Sequence, residues 1–124
     1  MKKLILLIIF ILLTGLAACS SGDNVATAVQ YIEALEEGDI DTATSLACPE
    51  RADDVMSGLV DVTAAERGDY TFERVSCAAR GSGVACSFTI TQQLDDETPS
   101  QFDRSVIFEF EGGQICGFEE EVAS

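Results

Sequence analysis

Histidine is absent from this 124-residue chain, and its lysines stop at Lys3. The remainder therefore offers no imidazole base, no Schiff-base amine and no histidine metal ligand. A cysteine nucleophile would lack its usual base. Positive charge is scarce as well. Of seven basic residues two are Lys2 and Lys3, so residues 19–124 set five arginines against all 22 acidic side chains, a formal −17. That balance excludes a nucleic-acid binder and a domain lying flat on anionic head groups. It favours solubility and leaves open a cationic partner or divalent ions. No two cysteines stand in a C-x₂₋₄-C pair, which disfavours zinc. Asp95-Asp96-Glu97 lacks the spacing of an EF-hand and reads as an acidic loop tip. Glu119-Glu120-Glu121 reads as a solvated tail. No cofactor is expected.

The start of the chain has three parts. Lys2 and Lys3 are followed by an unbroken apolar run over 4–13, then by small residues. A run of about ten residues suits a signal peptide and falls short of the roughly 20 needed to span a bilayer. A retained anchor helix would have to continue through Leu16-Ala17-Ala18 and so cross Thr14 and Gly15. The stretch Leu16-Ala17-Ala18-Cys19 resembles the lipobox of bacterial lipoproteins: an apolar residue, two small ones, then cysteine. The resemblance implies cleavage before Cys19, a diacylglyceryl group on its sulfur, and stable anchoring by two or more acyl chains. The expected division is a signal peptide over 1–18, a lipid anchor and short tether over 19–23, and one domain over 24–124. The expected location is the cell envelope, on the outer face of the cytoplasmic membrane or on an outer membrane.

Periodicity divides the domain in two. Asp23 or Asn24 can cap a first helix over 25–37, with Val25, Ala28, Val29, Ile32 and Leu35 on one stripe and Gly38 beyond its end. Asp39 or Asp41 caps a short second helix carrying Ala43, Leu46 and Ala47. Pro49 suits the first turn of a third, with Met56, Leu59, Val60 and Ala64 inward and Gly68 past its end. After Gly68 the period becomes two, giving strands over 70–79, 84–92, 102–110 and 114–118. The expected fold class is α+β: three N-terminal helices packed on a four-stranded antiparallel meander.

A two-residue Gly81-Ser82 turn would pair Cys77 with Cys86, Val75 with Phe88 and Glu73 with Ile90, all facing the helices. Val106, Phe108 and Phe110 would then lie beside Ile90, Phe88 and Cys86. A three-residue Glu111-Gly112-Gly113 turn would set Cys116 opposite Phe108. Four cysteines in an exported chain read as two disulfides. In this register Cys86 and Cys116 lie about 10 Å apart, and Cys77 and Cys116 about 14 Å, too far to bond. The expected pairs are Cys77–Cys86 and Cys48–Cys116.

The segment over 29–43, with Gly38-Asp39 between two helices, resembles the opening of nuclear-transport-factor-two-like domains. The ending over 106–118 is similar to the last hairpin of their small lipoprotein members, with Gln114 where tryptophan often stands. The resemblance implies a curved sheet wrapped around helices to leave a cone-shaped pocket. Its members include isomerases, hydrolases and domains that only bind, so fold alone does not settle function.

Within such a pocket the candidate carboxylate is Glu73, with Gln92 and Arg104 paired on the same face near the sheet's open end. The plainer reading is that this end is uncovered and the three residues are solvated or ion-paired. Tyr31 and Tyr70 suit half-buried packing as well as ligand contact. The first expectation is a membrane-anchored, non-enzymatic module that binds an unknown protein or small molecule. The rivals are a small pocket enzyme using Glu73, and a spacer or assembly subunit that uses the sheet's outer face.

Overall fold

The computed structural model describes residues 19–93 and 98–121, with side chains from Asp23 onward. The apolar run, Leu16-Ala17-Ala18 and the Asp95-Asp96-Glu97 tip lie outside the described residues, as does the side chain of Cys19. No helix among the described residues is long and apolar enough to cross a membrane.

Among the described residues four helices precede the strands, not three: α1 (Cys19–Glu37), α2 (Ile40–Ser45), α3 (Ala52–Leu59) and α4 (Val62–Glu66). Asp23 and Asn24 lie inside α1 instead of capping it, since no proline interrupts the run from Cys19. Gly38 ends the helix at φ +74°, and a Cβ there would fall 2.7 Å from the Ala65 carbonyl oxygen. The close approach of α4 thus adds a steric demand for glycine to the conformational one. Asp39 caps α2, accepting from the Thr42 hydroxyl at 2.7 Å and the Thr42 N–H at 3.2 Å. Those two bonds hold its carboxyl below the usual range. The expected third helix breaks at Val60, which is extended (φ −144°, ψ 161°). Asp61 restarts it by accepting from the N–H groups of Thr63 and Ala64. A short carboxylate competes for backbone donors, so it favours a cap over a helix interior. Pro49 accordingly sits in a turn ahead of α3 and not in its first turn.

The strands are β1 (Tyr70–Arg80), β2 (Gly83–Gln92), β3 (Ser100–Glu111) and β4 (Gln114–Glu120), antiparallel in the order β1-β2-β3-β4. Cys77 faces Cys86 across the Gly81-Ser82 turn as expected, but the register then shifts between Glu73 and Ser76. Arg74 takes φ +55° there. Strict alternation back from Cys77 would bury Glu73 and expose Phe72. The bulge exchanges them, placing Phe72 opposite Ile90 and Glu73 opposite Thr89. β3 is also displaced along β2. Val106 faces Cys86, Phe108 faces Val84 and Arg104 faces Phe88. The slip is an even number of residues, so each side chain keeps its expected face. The last turn is shorter than expected: Glu111 pairs with Gln114 across Gly112 and Gly113, both at positive φ. A second bulge leaves Cys116 as the extra residue, and Phe118, not Cys116, faces Phe108.

Tyr31, Leu35, Val84, Ile90, Val106, Phe108 and Ile115 are fully buried between the helices and the sheet. The Tyr31 ring meets Phe108 edge-on at 6.0 Å. Burial pushes the Tyr31 phenol pKa up, and its hydroxyl has no hydrogen-bond partner among the described residues. Tyr31→Phe removes that buried donor and keeps the ring. It should raise the unfolding free energy by about 1 kcal/mol in a urea titration. A loss of stability instead would reveal a partner such as a buried water.

Candidate functional site

The structure separates the three residues grouped from the sequence. Glu73 is exposed on the face of the sheet away from the helices. Gln92 faces Tyr70 on one side and Ser100 on the other, not Arg104. Arg104 lies on the helix face, where it is structural. Its guanidinium donates to the carbonyls of Gly58 (3.3 Å) and Leu59 (3.0 Å), at the C-terminal end of α3. It also pairs with Glu120 and stands 5.8 Å from the centroid of the Phe118 ring. Phe118 in turn lies so near Gly58 that a Cβ there would come within 2.8 Å of its ring. Burial lowers the pKa of Arg104, while helix carbonyls, a carboxylate and an aromatic face all favour its charge.

The carboxylates at the C-terminal end are therefore not a free tail. Glu119 and Glu120 belong to β4. Glu121 pairs with Arg80 at 2.8 Å, and its N–H donates to the Ser105 carbonyl at 2.8 Å. Tyr31 and Tyr70 are buried, the latter accepting at 2.9 Å from the Asp61 N–H.

Arg104→Ala removes three charge-assisted bonds, two to helix carbonyls and one to Glu120, from a half-buried site. It should cost about 2–3 kcal/mol in urea denaturation. Glu73→Gln should stay within about 0.5 kcal/mol of the parent, as exposed substitutions usually do. Similar losses for the two variants would contradict these placements.

Two concave surfaces of the described residues bear on binding. The first is a notch of about 190 Å³ between α1 and the β1 edge, with Val29, Ile32, Phe72 and Val75 as walls and Glu33 and Glu36 on its rim. Val75 is 37% exposed because the bulge turns it out of the regular pleat. Glu36 closes the adjacent edge of β1, its carboxylate accepting from the Phe72 N–H at 2.6 Å. Glu36 could not be singled out from the sequence, because a carboxylate near a helix end usually points to water.

The second surface is an open groove of about 600 Å³ at the end of the sheet that carries the two hairpin turns. It brings Glu50, Arg51, Glu109 and Glu111 around Cys116. Here the structure joins Cys48 to Cys116, with Cα atoms 4.9 Å apart. Cys77 and Cys86 form the other pair at 4.1 Å. These are the two pairs expected from the sequence. Cys116, however, reaches Cys48 from a bulge, not from the regular position assumed.

Together these features define a small α+β protein whose described residues form four helices, an open antiparallel sheet of four strands, and two disulfide-like cysteine pairs. No protein-family profile matches the chain, and no curated protein does. Among solved structures, the chain is similar to a SEC-C motif containing protein from Rhodopseudomonas palustris. The likeness covers 88% of this chain and 86% of that one, at a TM-score of 0.55 and 21% identity. At that identity the likeness concerns the fold alone.

Proposed function

We propose that the chain is a lipid-anchored envelope protein whose domain binds a partner and does not turn over a substrate. The anchoring half rests on order in the sequence: Lys2-Lys3, then the apolar run over 4–13, then Leu16-Ala17-Ala18-Cys19. The binding half is carried by one observation. The space where a cone-shaped pocket would lie is occupied by Tyr31, Leu35 and Phe108, and the candidate carboxylate Glu73 is exposed on the opposite face. The nuclear-transport-factor-two-like assignment belongs to the same proposal. Its support is Gly38 ending α1 and Asp39 capping α2, followed by a four-stranded meander.

The α1–β1 notch is the contact surface in this reading, its apolar floor and carboxylate rim suiting a cationic partner with an apolar anchor. A photo-crosslinking residue at Val75, introduced into the full chain in its native envelope, should trap a discrete adduct. The same residue at Ser87, on the outer face of the sheet, should not. Adducts at Ser87 alone would favour the spacer or assembly subunit, and none at Val75 would remove the notch as the binding surface.

A further inference from the structure

We propose that the Cys48–Cys116 pair, when reduced, is a binding site for Zn²⁺ or a similar thiophilic divalent cation, with Glu111 as the third ligand. The sulfurs of Cys48 and Cys116 and a carboxylate oxygen of Glu111 all lie within 4.8 Å of one another. Two thiolates and a carboxylate carry three negative charges, and this donor set needs no histidine. Among the described residues no third ligand joins Cys77 and Cys86 in the same way.

The site does not depend on the covalent bond for its shape. The Cys48 N–H donates to the Ile115 carbonyl at 2.8 Å, and the Ile115 N–H donates to the Leu46 carbonyl at 3.0 Å. This short parallel bridge fixes both cysteine backbones, and the β4 bulge turns Cys116 toward Cys48. Tetrahedral zinc with Zn–S bonds near 2.3 Å sets two sulfurs roughly 3.8 Å apart, a modest opening from a bonded pair. Glu111 is exposed and both cysteines are partly so, which leaves a fourth position open to water. Glu50 and Glu109 add negative charge to the groove, and Arg80, one of its two arginines, is engaged by Glu121.

The chemistry balances simply. A dithiol reductant transfers two electrons and two protons to the disulfide, becoming a disulfide itself and leaving two thiols on the protein. Zn²⁺ then displaces the two thiol protons and binds both thiolates and the Glu111 carboxylate. Oxidation and metal binding are therefore mutually exclusive occupations of one site.

The test uses the full chain in detergent, carrying Cys19→Ala, Cys77→Ser and Cys86→Ser so that Cys48 and Cys116 are the remaining thiols. After reduction, under conditions where circular dichroism shows the fold retained, Zn²⁺ should bind one per chain in competition with a chromophoric chelator, and Cd²⁺ should give a thiolate-to-metal charge-transfer band. The oxidised chain should bind neither at this stoichiometry. Glu111→Gln, at an exposed position that leaves the fold intact by circular dichroism, should weaken Zn²⁺ by about tenfold or more, the scale seen when supporting groups of a metal site are lost. Failure of the reduced chain to bind stoichiometrically, equal binding by the oxidised chain, or an unchanged affinity in Glu111→Gln would each overturn the proposal.

Discussion

Replacing Cys48 and Cys116 by serine should lower the unfolding free energy of the oxidised chain by roughly 4 kcal/mol, against about 2.5 for Cys77 and Cys86. The difference follows from loop length. The first pair closes a sequence separation of 68 residues and the second only 9, so the first restricts the unfolded chain far more. It also ties the segment after α2 to β4, which no hairpin turn does. A domain of this size has of the order of 5–15 kcal/mol to lose, so the first substitution approaches the whole of a marginal fold. Urea titration of the two double variants measures both values. Equal losses would mean that strain or residual structure outweighs loop closure. Peptide mapping without reduction supplies a separate check, because a Cys86–Cys116 link would be incompatible with the strand order β1-β2-β3-β4.

Cys19→Ala should abolish membrane retention, leaving an unprocessed or released chain. In the proposed reading the acyl chains on Cys19 are the membrane contact, and a net acidic domain gains nothing from anionic head groups. Fractionation followed by a carbonate wash reads the outcome. Persistence of the variant in the washed membranes would mean that the apolar run over 4–13 is retained as an anchor or that a partner holds the protein.

Local chemistry in the chain was enough for the element types and their order. The apolar stripe of α1 ending at Gly38, the Asp39 cap, and the change to period two after Gly68 depend on neighbours within a turn or a strand. The Cys77–Cys86 facing was legible for the same reason, since a two-residue turn propagates its register over a short distance. The break at Val60 was one local feature missed. Apolar periodicity continues across it, and only the capping geometry of Asp61 shows that the helix restarts.

Whatever depends on register over distance was decided by packing. An alternating pattern defines two faces of a strand but not where a bulge exchanges them. Burying Phe72 beside Phe88, with ring centroids 5.6 Å apart, outweighs the lost ladder pairing and turns Glu73 outward. Arg104 shows the same limit: its partners, the end of α3, Phe118 and Glu120, lie on three different elements. The convergence of Cys48, Glu111 and Cys116 likewise requires the parallel bridge at Ala47 and Ile115 and the β4 bulge together. By itself the sequence determined the acidic charge, the missing histidine and lysine chemistry, the helices-then-meander order and which cysteines can meet. Tertiary structure alone decided where bulges exchange the faces of a strand and which side chains converge into a site, because burial free energy is shared among segments far apart in the chain.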